Sequence, residues 1–364
     1  MKTSLIALTA LLLAPAPALA HPAKAQPAAR GVVSAADPRA AEAGREILRK
    51  GGTAADAEMA MMLALTVVEP QSSGIGGGGF FVYQQAGGKL VTIDGREKTP
   101  AAATPKRFLT PDGKPMPFFQ AVPGGLSVGV PGNIRLMAMV HQRFGKLPWN
   151  ALFAPAIKLA EEGYTVTKPM AAGMGYVSQI WSAFPAISAQ YTRDGKPLTE
   201  GALVKNPDLA KTLRLIADKG PDAFYTGATA QAIVTAATTA QRNPSDMTLA
   251  DLAAYQAKER PPICGSYRGY KICGMGPPSS GAVTVLQVLG MLERFDMKKL
   301  GASNPVSWHL IGEAMLLAYA DREKYLADSD FVSIPLKGMT DKAYLKSRSM
   351  LLSPDKALGT YEAG

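Results

Sequence analysis

Side chains able to do acid–base or metal chemistry are few in this sequence. It contains three histidines, His21, His141 and His309, and two cysteines, Cys264 and Cys273. Catalysis at neutral pH draws on histidine first, and a metal centre needs three or four converging ligands. His21 lies in a Pro- and Ala-rich stretch near the start of the chain. His141 and His309 fall within helical patterns, where an imidazole satisfied by its surroundings is the default reading. His309 also has Glu313 one turn away as a pairing partner. Two cysteines and three scattered histidines do not make a metal site. No G-x-S-x-G, H-E-x-x-H or P-loop pattern occurs, so the usual nucleophile and base are missing.

Two other patterns carry more. The run "SGIGGGGF" places Gly74, Gly76 and Gly79 as G-x-G-x-x-G, with Asp94 and Glu97 downstream. A dinucleotide site needs a strand before such glycines and a helix after them, because the helix N-terminus holds the pyrophosphate. Here the order is reversed. "TAADAEMAMMLALTVVEP" reads as a buried helix, N-capped at Thr53 with Asp56 three residues on and stopped at Pro70. "FFVYQQAGGKLVTIDGR" reads as a hairpin around Gly87-Gly88. The glycines must therefore provide positive φ angles or close backbone approach.

Arg96 stands at the end of the second hairpin strand, in "IDGRE". A strand-end arginine beside a glycine loop can grip a carboxylate through two parallel hydrogen bonds. Its structural alternative is an ion pair with Asp94 or Glu97, which the spacing alone favours. Elsewhere, Asp321-Arg322 and Asp328/Asp330 read as solvated charge. "PPSSG", from 277 to 281, reads as a loop with a serine cap ahead of a helix, more than as hydroxyls aimed at a ligand.

The elements that position these residues alternate between helix and hairpin. Asp37-Pro38 caps a helix that Gly51-Gly52 ends. "SVGVPGNIRLMAMVHQRFG" reads as a short strand, a turn and an amphipathic helix. Further helices follow in "LPWNALFAPAIKLAEEGY", "NPDLAKTLRLIADKG" and "ATAQAIVTAATTAQ", with a short capped one in "DMTLADLAAYQAKER". Two long helices come late, in "GAVTVLQVLGMLERF" and "NPVSWHLIGEAMLLAYADREKYL". In "CGSYRGYKIC", a turn at Arg268-Gly269 puts Tyr267 opposite Tyr270 and Cys264 opposite Cys273. That last pair is a closely spaced one that suits a disulfide; two half-buried free thiols are the alternative. The pattern as a whole predicts an α+β fold or layered sandwich.

Lys2, the apolar run "SLIALTALLLAPAPALA" and Ala18-Leu19-Ala20 read as a signal peptide over residues 1–20, cut before His21. Residues 21–30 then read as a flexible mature N-terminus. The run is too short and Pro-broken to span a bilayer, so no stable membrane insertion is expected. The 364 residues are 47% hydrophobic and 19% charged, a globular composition. The net charge of +10 is scattered, with no basic run to mark a nucleic-acid partner.

Taken together, "GGTAADAEMAMMLALTVVEPQSSGIGGGGFFVY", "IDGRE", "SVGVPG", "FGKLPWNALFAPAIKLAEEGY", "YRGYKICGMGPPSSG" and "EAMLLAYADREKYLADSDFV" resemble the γ-glutamyltransferases (γ-glutamyltranspeptidases, glutathione hydrolases). The resemblance covers nearly all of residues 31–364 in family order. It implies a layered αββα sandwich, the N-terminal nucleophile hydrolase fold. It also implies a precursor that cuts itself into two subunits, with the nucleophile a threonine freed in a Thr-Thr-His context. No Thr-Thr-His occurs here, so this sequence is expected to be the large subunit, or a precursor truncated just before the cleavage site, with no catalytic residue of its own and a small subunit of the same precursor as partner. Arg96 matches the family arginine that binds the γ-glutamyl α-carboxylate, which reverses the preference stated above. Glutathione is the implied donor, and no metal or organic cofactor is implied. A cephalosporin-type acylase subunit, or a non-catalytic periplasmic protein derived from the family, are the alternatives. A downstream Thr-Thr-His would separate the last from an enzyme.

Overall fold

A computed structural model describes residues 31–364. The predicted signal peptide, its cleavage point after Ala20 and the flexible stretch 21–30 lie outside the described residues. No helix among the described residues is long and apolar enough to cross a membrane.

The first two helices form where the sequence places them. Helix α1 (Pro38–Arg49) is capped by Asp37, whose side chain accepts from the Arg39 amide at 2.8 Å. Helix α2 (Ala54–Val68) opens on a reciprocal capping box. Thr53 N donates to Asp56 Oδ2 at 2.8 Å, and Asp56 N donates to Thr53 Oγ1 at 3.1 Å. Asp56 is fully buried and also accepts from the Lys146 amide at 3.0 Å, so one carboxylate ties the helix start to a distant loop.

Strands β1 (Gly79–Gln84) and β2 (Leu90–Gly95) form the antiparallel hairpin, with Phe81 opposite Ile93 and Gly79 opposite Gly95. Helix α3 (Asn133–Phe144) packs against both strands. The strand expected in "SVGV" is reduced to a single bridge between Lys98 and Val130. Strand β2 is paired on its other side by β3 (Lys258–Arg260). That three-residue strand completes a sheet of order β1-β2-β3 across 166 residues of chain.

Helices α4 (Ala154–Glu162), α5 (Pro207–Lys219) and α6 (Gly227–Thr238) follow, as their patterns predict. The late region holds the hairpin β4 (Ile263–Tyr267) and β5 (Tyr270–Gly274), then α7 (Gly281–Leu292), α8 (Pro305–Tyr325) and α9 (Lys342–Ser349). Arg268 and Gly269 both have positive φ, as a two-residue primed turn requires. Cys264 pairs with Cys273 in the strand register, and their sulfurs are bonded.

Two main apolar cores form among the described residues, beside a small alanine cluster of Ala40, Ala43 and Ala64 between α1 and α2. The larger joins α1, α2, the β1-β2 face and α3 to α6, with Leu63, Phe81, Ile93 and Leu136 at its centre. The smaller lies between α7, α8 and the chain's last residues, around Met291, Leu310, Leu317 and Leu352. The site lies between them.

Candidate active site

Four segments converge on a cleft of about 450 Å³: the glycine loop and first residues of β1, the end of β2, the loop before α7, and the C-terminal turns of α8. Arg96, Glu97, Ser279, Ser280, Arg322 and Glu323 supply its polar side chains.

The glycine run makes this convergence sterically possible. A Cβ on Gly78 would lie 2.6 Å from the Glu97 amide nitrogen and 2.7 Å from the Gly95 carbonyl oxygen. A Cβ on Gly132, ahead of α3, would lie 1.9 Å from that same carbonyl. Three backbone segments thus meet without side chains between them, so close approach is the role, and none of residues 74 to 79 has positive φ. The loop also blocks the anion site that a nucleotide would need. The amides of Gly132 and Asn133, at the start of α3, donate to the Gly77 carbonyl at 2.9 and 3.1 Å. The start of α3 is thus not free to hold a phosphate.

Arg96 is held by its backbone and left free at its tip. Its amide donates to Asp94 Oδ1 at 2.9 Å, and its carbonyl accepts from the Tyr255 hydroxyl at 2.7 Å. Burial pushes the Tyr255 phenol up, so it stays a donor. The guanidinium is exposed and donates from Nη1 to the Pro278 carbonyl at 3.0 Å. It forms no ion pair with Asp94 or Glu97. Asp94 Oδ2 is instead taken by Arg260 Nε at 2.7 Å.

Arg260 reaches Asp94 because the register sets Asp94 opposite Lys258, making Arg260 its diagonal neighbour on one sheet face. The same guanidinium bonds Asp330 at 2.9 and 3.0 Å, and Lys258 Nζ reaches Asp330 at 2.6 Å. Arg260 and Lys258 hold the Asp330 carboxyl far below the usual carboxylate range.

Several sequence expectations are corrected by this packing. Asp330 is engaged rather than solvated. Asp321 is 2% exposed and accepts from Gln287 Nε2 at 2.8 Å, the Tyr344 hydroxyl at 2.6 Å and the Gly364 amide at 3.0 Å. Glu313 does not pair with His309. It takes the Leu358 amide and the Tyr361 hydroxyl, while His309 donates to the Ser353 carbonyl at 3.0 Å. His141 likewise bonds a carbonyl, that of Leu147, at 2.8 Å. Ser280 occupies the cap position of α7 without capping it; its hydroxyl accepts from Arg322 Nε at 3.3 Å, and Ser279 Oγ takes the Gly281 amide instead. Ser279 and Ser280 therefore line the cleft.

Sequence reading missed Arg260, Tyr255 and Arg322 as parts of this region. Arg260 sits in a three-residue strand too short to show alternation, and its partners lie 166 and 70 residues away. A charged triplet next to Pro-Pro gives no local signal of such pairing.

The comparisons with known proteins agree on one family. The Gamma-glutamyltranspeptidase family model matches residues 40–363. The Escherichia coli (strain K12) glutathione hydrolase proenzyme is 39% identical over 93% of this chain and 57% of its own length. An acylase ACY 1 proenzyme from Pseudomonas sp. (strain SE83) is 38% identical over 90% of this chain and 59% of its own. This chain thus spans a little over half the length of these curated relatives. The crystal structure of Helicobacter pylori γ-glutamyltranspeptidase superposes with a TM-score of 0.85 at 36% identity, over 94% of this chain and 97% of that one. The fold is accordingly the α+β arrangement of N-terminal nucleophile hydrolases, and the chain belongs to the γ-glutamyltranspeptidase family.

Proposed function

We propose that this chain is the large-subunit part of an exported γ-glutamyltransferase, and that Arg96 binds the α-carboxylate of the γ-glutamyl donor, glutathione being the expected one. The observation that carries the reading is a guanidinium pinned through its backbone, exposed at a cleft and free of any carboxylate. A bound carboxylate would accept two parallel charge-assisted hydrogen bonds there, fixing the donor's position and direction.

The nucleophile is the threonine hydroxyl at the start of the small subunit, with its own α-amine as base. It attacks the γ-carbonyl, the amide C–N bond breaks, and the amine leaves with the proton. Water or an amino acid then takes the acyl group and frees the threonine. This chain's share is to bind and orient.

Two further features support a partner subunit. Trp308, Met315, Leu316 and Tyr319 leave an exposed apolar stripe along helix α8. The chain also matches the Helicobacter pylori chain almost end to end while covering little more than half of the proenzymes. Export to the periplasm or beyond rests on the signal-peptide pattern.

The test is to assay residues 21–364 alone, and then co-expressed with a small subunit, on a chromogenic γ-glutamyl anilide. Activity only in the assembled protein is expected; turnover by the chain alone would overturn the division of labour. The acylase relative favours a second reading, which predicts release of the cephalosporin side chain by the assembled protein in place of γ-glutamyl cleavage.

A further inference from the structure

We propose that Arg260 is a positioning residue for substrate binding: by occupying Asp94 it keeps that carboxylate from capturing Arg96. The inference rests on the reading of Arg96 as the donor's carboxylate clamp and names what keeps the clamp open.

Asp94 and Arg96 line the same cavity beside the cleft, together with Arg260, Lys258 and Lys98. Asp94 is two residues from Arg96 and already bonded to its backbone, so it is an intramolecular competitor for any carboxylate ligand. Both of its oxygens are engaged, one by the Arg96 amide and the other by Arg260 Nε. Removing the Arg260 guanidinium leaves Asp94 Oδ2 unpaired while the residue is only 7% exposed. A carboxylate in that position seeks a cation strongly.

The other cations on the cavity are committed. Lys258 is paired with Asp330 at 2.6 Å, and the Lys98 ammonium sits 5.3 Å above the Tyr255 ring. Arg96 alone combines proximity with a tip that gives up only one carbonyl hydrogen bond. Substrate then has to break an internal Arg96–Asp94 pair before it can bind.

Arg260 is itself well anchored for this task. It accepts the Thr92 hydroxyl on its carbonyl, and its far end grips Asp330, with Asp328 at 3.8 Å. The strand, the loop after α8 and the state of Arg96 are thereby linked through one side chain.

The test uses the assembled two-subunit protein with four chains: wild type, Arg260→Met, Asp94→Asn, and the double variant. Asparagine keeps the acceptor for the Arg96 amide and removes the charge. Arg260→Met is expected to raise KM for a γ-glutamyl anilide about tenfold while lowering kcat much less. The double variant is expected to return KM to within about twofold of Asp94→Asn alone, even though its melting temperature stays below wild type. A purely structural role for Arg260 predicts the opposite: the loss persists or deepens in the double variant. An unchanged KM in Arg260→Met, or no recovery in the double variant, overturns the proposal. Arg96→Ala, run alongside, separates the two ideas. If it too has a normal KM, the clamp reading falls and this inference with it; if it is impaired and no recovery occurs, only the inference falls.

Discussion

Replacing Arg96 by alanine should separate catalysis from stability. In the folded chain its guanidinium makes one hydrogen bond, to the Pro278 carbonyl, and no ion pair. Its loss should therefore cost about 0.5–1 kcal/mol of stability, the worth of one exposed hydrogen bond. The donor's carboxylate would lose two charge-assisted bonds of about 1.5–3 kcal/mol each. Discounted for the exposure of the guanidinium, a loss of about 3 kcal/mol remains, roughly a hundredfold in kcat/KM. Arg96→Lys keeps the charge but not the planar fork, and should recover only part of this. The assay is steady-state release of the anilide from a γ-glutamyl substrate by the assembled protein, with thermal melting and a gel for subunit formation beside it. Self-cleavage should proceed in both variants, since it does not use the substrate's carboxylate. Near-normal kinetics in Arg96→Ala, with normal processing, would refute the assignment and leave Arg96 as a residue that merely fastens the loop before α7.

Three further outcomes follow from the packing. Peptide mapping without reduction should recover Cys264 and Cys273 as one linked pair; removing both should cost about 2–3 kcal/mol at most, because the closed loop is short. Burial pushes the Glu58 carboxyl up to about 7 from 4.5. Its folded state then holds a proton that the unfolded chain releases, so stability should fall as pH rises from about 4.5 to 7. Glu58→Gln should abolish that slope and be more stable by about 1–2 kcal/mol at pH 8, with little difference at pH 4, in urea melts at each pH. Asp321→Asn should destabilise by about 2–4 kcal/mol in chemical denaturation, since it removes the charge facing Arg348 and breaks a buried network that includes Gln287 and Tyr344. An Asp321→Asn variant as stable as wild type would show that the network is neutral to folding.

What the sequence determined by itself was local. Thr53 with Asp56, and Asp37 with Pro38, specify helix starts within a few residues, because a cap is satisfied by amides next to it. The turn at Arg268-Gly269 fixes the register that sets Cys264 against Cys273, since a two-residue loop leaves one pairing. The family was legible in the motifs of "IDGRE" and its neighbours. Tertiary structure decided whatever depended on partners far along the chain. It gave Asp94 to Arg260 and left Arg96 without an ion pair, buried Asp321 beneath the chain's last residues, turned Ser280 toward Arg322, and reduced "SVGV" to a single bridge. Charge pairing depends on distance in space, and a carboxylate two residues from one arginine and 166 from another carries no local mark of which it will hold.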